Sequence, residues 1–171
     1  VAHVARYHRR SSPKPSHLEY LAVSRESRVG TYYSTSEIIN SGFGRIDRRP
    51  SQRHVSTGHE VGILSIDDFC QDERIDMARL RVCKIDVEEG ELDVLLGMRK
   101  TFERGARPII LTEISVGENR SGIEQMADYL MLFGYSPKRL KKREWVMARI
   151  AELPVGMHGN LIWVPEASVR R

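Results

Sequence analysis

Two short acidic stretches carry most of the reactive side chains of this chain. The first holds Lys84, Asp86, Glu88, Glu89 and Glu91, and the second holds Glu113. A carboxylate held near a hydroxyl can accept a hydrogen bond from it or take its proton. In open α/β sheets, ligands bind beyond the carboxyl ends of the strands. Asp86 and Glu88 stand at that end of one apolar stretch, and Glu113 stands at that end of another. The three are therefore the candidate catalytic residues, lining one crevice. A plainer reading applies to Glu89 and Glu91, since an acid at a helix start stabilises it by roughly 0.3–1 kcal/mol. Asp86 interrupts a β-prone run, where a buried carboxylate is costly unless paired. Lys84 shares its strand face, so a purely structural Lys84–Asp86 pair is the alternative to a site role.

The elements that must position these residues follow from periodicity. Residues 81–87 alternate: Cys83, Ile85 and Val87 share one face, and Val82, Lys84 and Asp86 the other. The spacing predicts a helix from about Glu91 to Arg104, with Leu92, Leu95, Leu96 and Phe102 in one stripe and Gly105 closing it. Pro108 to Ile114 is a strongly apolar strand, which suggests burial on both faces in a parallel sheet. Ser121 and Glu124 form a candidate capping box. Behind it, Ile123, Met126, Ala127 and Leu130 form a helical stripe ended by Gly134.

Before this core, residues 18–24 predict a strand, Arg28–Gly30 a turn, and 45–58 an arginine-rich loop. Residues 59–65 predict a short strand, and Ser65 is a candidate N-cap for the turn after it. Residues 145–150 and 160–164 predict two late strands. Lys138, Arg139, Lys141, Lys142 and Arg143 precede them in what is expected to be a solvated loop. The fold class is α/β. Residues 1–17 are expected to be a basic tail or partial helix, and residues 18–171 a partial domain.

The run from Lys84-Ile85-Asp86-Val87-Glu88-Glu89-Gly90-Glu91 through Leu92-Asp93-Val94-Leu95 to Gly97 resembles the signature of FkbM-type methyltransferases. Other segments resemble that family's motifs in the right order: Ala22-Val23-Ser24, Asn40-Ser41-Gly42, Leu64 to Phe69, Pro108 with Leu111 and Glu113, Gly134-Tyr135, and Asn160-Leu161. The resemblance implies a class I, Rossmann-like methyltransferase fold, a three-layer sandwich. Its sheet would be mostly parallel, with antiparallel late strands and strand order 3-2-1-4-5-7-6. The implied activity is S-adenosylmethionine-dependent methyl transfer, often to a hydroxyl of a sugar or secondary metabolite. It implies Asp86 and Ser24 as cofactor-binding residues, and Asn40 as a contributor from the substrate side. His158, in a glycine-rich loop, is a further candidate for the acceptor pocket.

Two departures from the family pattern matter. Glu89 stands where the family usually carries Gly, which predicts a locally altered loop. A glycine-rich turn between an apolar strand and a helix, needed to hold the nucleoside half of the cofactor, is not recognisable either. The chain therefore resembles the C-terminal two-thirds of such a domain. The expectations are weak cofactor binding by this chain alone and an open strand edge at residues 82–87, with self-association through that edge. A non-catalytic remnant or interaction module is the competing reading.

Composition narrows the field further. The chain has 171 residues, 40% hydrophobic and 29% charged, as a globular domain does. Aromatic residues make up only 7% and the net charge is +4, so no nucleic-acid partner is expected. No apolar run reaches the roughly eighteen residues that cross a bilayer, so no membrane partner is expected. Cys70 and Cys83 are the two cysteines, without a Cys-x-x-Cys, and suggest a reducing, cytoplasmic setting. Carboxylates suit Mg²⁺, but no His or Asp pair stands at ligand spacing, so no metal is expected.

Overall fold

The computed structural model describes residues 22–35, 45–46, 56–87, 90–117 and 119–166. The predicted tail at 1–17 lies outside them. Two sheets form. The first has four strands in the order β1-β4-β2-β3, where β1 is Ala22–Val23, β2 Arg28–Thr35, β3 Arg45–Ile46 and β4 Ser56–Leu64. The second has five, in the order β5-β6-β9-β7-β8: β5 is Val82–Ile85, β6 Ile109–Ser115, β7 Tyr135–Lys141, β8 Glu144–Met147 and β9 His158–Pro165. The helices are α1 (Ile66–Asp72), α2 (Glu91–Leu96), α3 (Arg99–Glu103) and α4 (Arg120–Met131), with single 3-10 turns at Met77–Arg79 and Ile150–Glu152.

The α/β class is present, but the sheets are mixed rather than mostly parallel. β5 and β6 run parallel, joined across α2 and α3, and β1 and β4 run parallel; the other pairings are antiparallel. Among the described residues only one strand-helix-strand unit, residues 82–115, feeds the larger sheet with a parallel pair. The late strands return antiparallel, as expected.

One face of this sheet carries the core. Ile85, Ile110, Ile114, Leu161, Trp163 and Tyr135 pack there against Val94, Leu95, Met98 and Phe102 and against the α4 stripe of Ile123, Met126, Ala127 and Leu130. Two buried hydrogen bonds fix polar atoms inside it. Trp163 Nε1 donates to Thr112 Oγ1 at 2.9 Å, and the Tyr135 hydroxyl donates to the Pro108 carbonyl at 2.9 Å. The opposite face leaves Val82, Ile109 and Met147 exposed. Among the described residues the larger sheet is thus one side of a two-layer arrangement, not the middle of three layers. β6 correspondingly alternates, with Ile110, Thr112 and Ile114 buried and Ile109 and Glu113 exposed. Burial on both faces was the wrong inference from a continuous apolar run.

β5 is the other correction of consequence. It is an edge strand that pairs with β6 alone among the described residues, so the open edge expected at residues 82–87 is present, but Val82 and Lys84 are exposed rather than covered as in a buried strand. The strand expected at 18–24 does not cover it, because Ala22 and Val23 pair with Ile63 and Leu64 of β4 instead. Gly30 lies inside β2 opposite Val61 rather than in a turn, and the arginine-rich segment contributes β3 and the start of β4. Residues 138–141, expected in a solvated loop, belong to β7, which forms a hairpin with β8. Ser121 lies inside α4, whose N-cap is Asn119, and accepts from Gln125 Nε2 at 3.1 Å. Ser65 does cap α1, accepting from the Asp68 amide at 3.1 Å.

The helix expected over 91–104 breaks at Gly97 and Met98. The break is where the smaller sheet docks. A Cβ at Gly97 would stand 2.4 Å from the Ser24 carbonyl oxygen, so only glycine admits that approach. The Gly97 carbonyl accepts from the Asp67 amide at 2.9 Å. Asp67 in turn accepts from the amides of Lys100 and Thr101, at 2.6 and 2.9 Å, and from the Thr101 hydroxyl at 2.7 Å, which caps the start of α3 from a distant segment. Arg25 pairs with Asp93 of α2. Gly97→Ala is accordingly expected to cost about 1–3 kcal/mol, as overpacking does. At this chain length each kcal/mol lowers the melting temperature by about 2–4 °C, so a thermal melt reads it directly. An unchanged melt would mean that β1 backs away from the helix freely.

Candidate functional site

The register of the larger sheet decides which side chains share its open face. Lys84 pairs with Leu111 across β5–β6, Leu111 with Ile162 across β6–β9, and Lys138 with Ile162 across β7–β9. Opposite residues lie on one side of a sheet, and side chains alternate along each strand. Asp86, two residues past Lys84, therefore falls on the same face as Glu113, and Glu113 stands directly opposite Asn160. His158, opposite Ser115, is on that face as well. Asp86, Glu113, Asn160 and His158 are all exposed.

Within this row the carboxylates are not independent. Lys84 Nζ lies 2.6 Å from Asp86 Oδ2. The Lys84 ammonium first, and the neighbouring Glu113 second, hold the Asp86 carboxyl below its ordinary value. Nearby, the buried carboxylate of Glu91 reaches back to accept from the Val87 amide at 3.3 Å, tying the chain between β5 and α2 to the helix. At the end of β6, the Val116 amide donates to the Met157 carbonyl at 2.7 Å, which fixes the approach to His158.

Glu88 and Glu89 lie outside the described residues, as does Asn40. Ser24 is buried at the end of β1; its amide donates to the Leu64 carbonyl at 3.1 Å and its carbonyl faces Gly97. The structure thus brings Asp86, Glu113 and His158 to one face and uses the backbone of Ser24 for docking. Asn160 is the position that sequence reading undervalued. It appeared only as a family match, because its place opposite Glu113 depends on a register set far along the chain. A cleft of about 740 Å³ lies elsewhere, between α4, β7 and β8, lined by Glu124, Asp128, Met131, Tyr135, Met147 and Glu166. It shares no residue with the carboxylate row. Among the described residues no group of three or more His, Cys, Asp or Glu is placed to hold a metal ion. None of the described helices is long and apolar enough to cross a membrane.

Residues 7–137 match the family described as "Methyltransferase FkbM domain". The chain belongs to the FkbM methyltransferase family. The match includes β5, Asp86, Glu113 and the start of β7, and it stops before β8 and β9, so Asn160 and His158 lie outside it. Comparison with curated proteins and with solved structures returned no match. As an FkbM domain, the chain belongs to a family associated with S-adenosylmethionine. The exposed carboxylates of Asp86 and Glu113 are acceptors for the hydroxyl and ammonium groups that such a molecule presents. A nucleoside would also need free backbone amides in a glycine-rich turn. Gly97 is instead pressed against Ser24, and the Ser24 amide is already bonded. The described residues fit one end of the cofactor and not the other.

Proposed function

We propose that this FkbM domain serves the acceptor side of a methyl transfer from S-adenosylmethionine to a hydroxyl of a sugar or secondary metabolite. The observation that carries the reading is the placing of Asp86 and Glu113 side by side, both exposed on the open face, just past the last parallel pair of β5 and β6, Ile85 with Thr112. S-adenosylmethionine, when bound, supplies an electrophilic methyl carbon. What the chain contributes is orientation and proton removal. Asp86, kept ionised by Lys84, is the acceptor for the hydroxyl proton. Glu113 holds Asp86 in place and offers a second contact to the acceptor. Glu88 and Asn40 are proposed to complete the catalytic and substrate contacts, His158 to border the acceptor, and Asp86 to meet the ammonium or ribose end of the cofactor. Ser24 is proposed as a further cofactor contact, beside the use of its backbone in docking β1 against Gly97.

The fit of only one end of the cofactor supports weak binding by this chain alone. A second reading, a non-catalytic remnant or interaction module, draws on the Lys84–Asp86 ion pair, which satisfies both charges without any ligand, and on the edge position of β5. A second copy of the chain pairing along β5 belongs to that reading. Calorimetric titration with S-adenosylmethionine, followed by transfer of a labelled methyl group to a panel of sugar and metabolite hydroxyls, separates the two. Weak binding with measurable transfer is the expected result. Absence of both, together with mass that doubles with concentration, supports the interaction module.

A further inference from the structure

The β7–β8 hairpin projects a combination of charge and apolar surface that the carboxylate site does not use. Lys138, Arg139, Lys141, Lys142 and Arg143 are gathered there against a single acid, Glu144. Leu140 pairs directly with Trp145, and Lys138 with Met147, so all four fall on the open face of the sheet. Leu140 is 57%, Trp145 49% and Met147 59% exposed. Leaving three large apolar side chains side by side in water is unfavourable, and such patches mark contact surfaces.

The turn adds an independent sign. Lys142 and Arg143 both have positive φ, 47° and 71°. A two-residue hairpin turn of that kind is normally made by Asn-Gly, because other L-residues are strained there by roughly 1–2 kcal/mol each. The chain accepts this strain and places two cations at the tip. Backbone strain kept by a residue type that relieves nothing locally points to a functional demand.

Against the expectation of no membrane partner, which rested on the lack of a bilayer-crossing run, we propose that the β7–β8 hairpin docks this domain peripherally on an anionic membrane surface. Trp145, Leu140 and Met147 enter the headgroup region, and Lys142 and Arg143 at the tip, with Lys138 on the same face as Met147, meet the lipid phosphates and carboxylates. Trp is favoured at that depth, and each basic residue near an anionic leaflet adds attraction. Aliphatic Leu and Met make no stacking platform, so the surface suits lipid better than a nucleic-acid strand. β7 runs antiparallel to β9, which places the turn toward the end of the sheet where β9 begins at His158. That end also carries Glu113 and Asp86 on the same open face. Docking would therefore turn the carboxylate row toward the bilayer, although the docking itself does not depend on methyl transfer.

The test is co-sedimentation of the whole chain with phosphatidylcholine vesicles, with and without phosphatidylserine, at low and high salt. Binding only to the anionic vesicles, lost at high salt, is expected. Trp163 is fully buried, so a blue shift of tryptophan emission on binding reports Trp145. Trp145→Ser should abolish the shift. A double variant, Lys142→Asn with Arg143→Gly, relaxes the turn and should melt higher than the parent. It should nevertheless bind about 30-fold more weakly, the loss of two charges near the surface. Anionic-vesicle binding that this well-folded variant retains in full would overturn the proposal. So would binding to heparin or single-stranded DNA with none to vesicles, which would assign the surface to a polyanion. No binding to any of these probes would also sink it.

Discussion

Phe102→Ala is expected to lower the stability of the domain by about 3–5 kcal/mol. Phe102 is fully buried and stands at the centre of an aromatic cluster. Its ring centroid lies 6.3 Å from that of Tyr129, 5.1 Å from Phe133 and 5.9 Å from Tyr135. Removing the ring takes away its own transfer free energy and leaves a cavity that rigid neighbours cannot fill. α3 is too short to tilt inward on its own, because Asp67 grips its first turn and the Arg107 guanidinium holds its last carbonyls, donating to the Phe102 carbonyl at 2.6 Å. The same guanidinium lies 5.6 Å from the centre of the Phe133 ring. The loss therefore propagates to the contact between α3, α4 and β7. Urea unfolding measures it; a cost under about 1 kcal/mol would show that the cluster repacks, against the expectation for a close-packed interior. Phe102→Leu should recover part of the loss.

Asp86→Asn and Glu113→Gln are each expected to reduce methyl transfer about 10²–10⁴-fold, the usual worth of a positioned acid or base. Neither should alter the melting temperature much, since both side chains are exposed and pairs in such settings contribute little. The pH dependence follows from the direction of the Asp86 shift. Its folded-state value is lowered, so its ionised form and the stability it adds are fully present above the ordinary carboxylate value of 3.8. Both are lost only as pH falls through the lowered value. Transfer limited by Asp86 should then hold up on the acid side further than an unassisted aspartate allows. Lys84→Met removes the largest cause of the shift and should move that acid limb to higher pH. An acid limb unmoved by Lys84→Met would separate Asp86 from the rate and favour the purely structural ion pair.

Local patterns carried a good deal of this. The stripe of Ile123, Met126, Ala127 and Leu130 is buried as its helical spacing demands, and Gly105 and Gly134 end their segments with positive φ. Alternation along residues 82–86 separated Lys84 and Asp86 from Cys83 and Ile85, and that separation survived into the sheet. These signals are legible because they depend on neighbours three, four or two residues away. The same reasoning put Asp86 and Glu113 together, since two parallel strands joined by a crossover end at the same side of a sheet.

What failed depended on contacts distant in sequence. Nothing near residues 82–85 tells whether another strand lies beyond them, so the residues of β5 alone give neither its edge position nor the exposure of Val82. Gly30 reads as a turn residue, yet it sits in β2 because eight consecutive residues there pair with β4. The kink at Gly97 follows from the Ser24 carbonyl, a partner supplied by the other sheet. The hairpin at Lys142–Arg143 defies turn propensity altogether, because ladder hydrogen bonds on both sides outweigh the strain of two left-handed residues. Side-chain periodicity is written locally and can be read from the chain; strand neighbours, register and the choice of which sheet face stays open are settled by long-range pairing, where many partners compete and small free-energy differences decide.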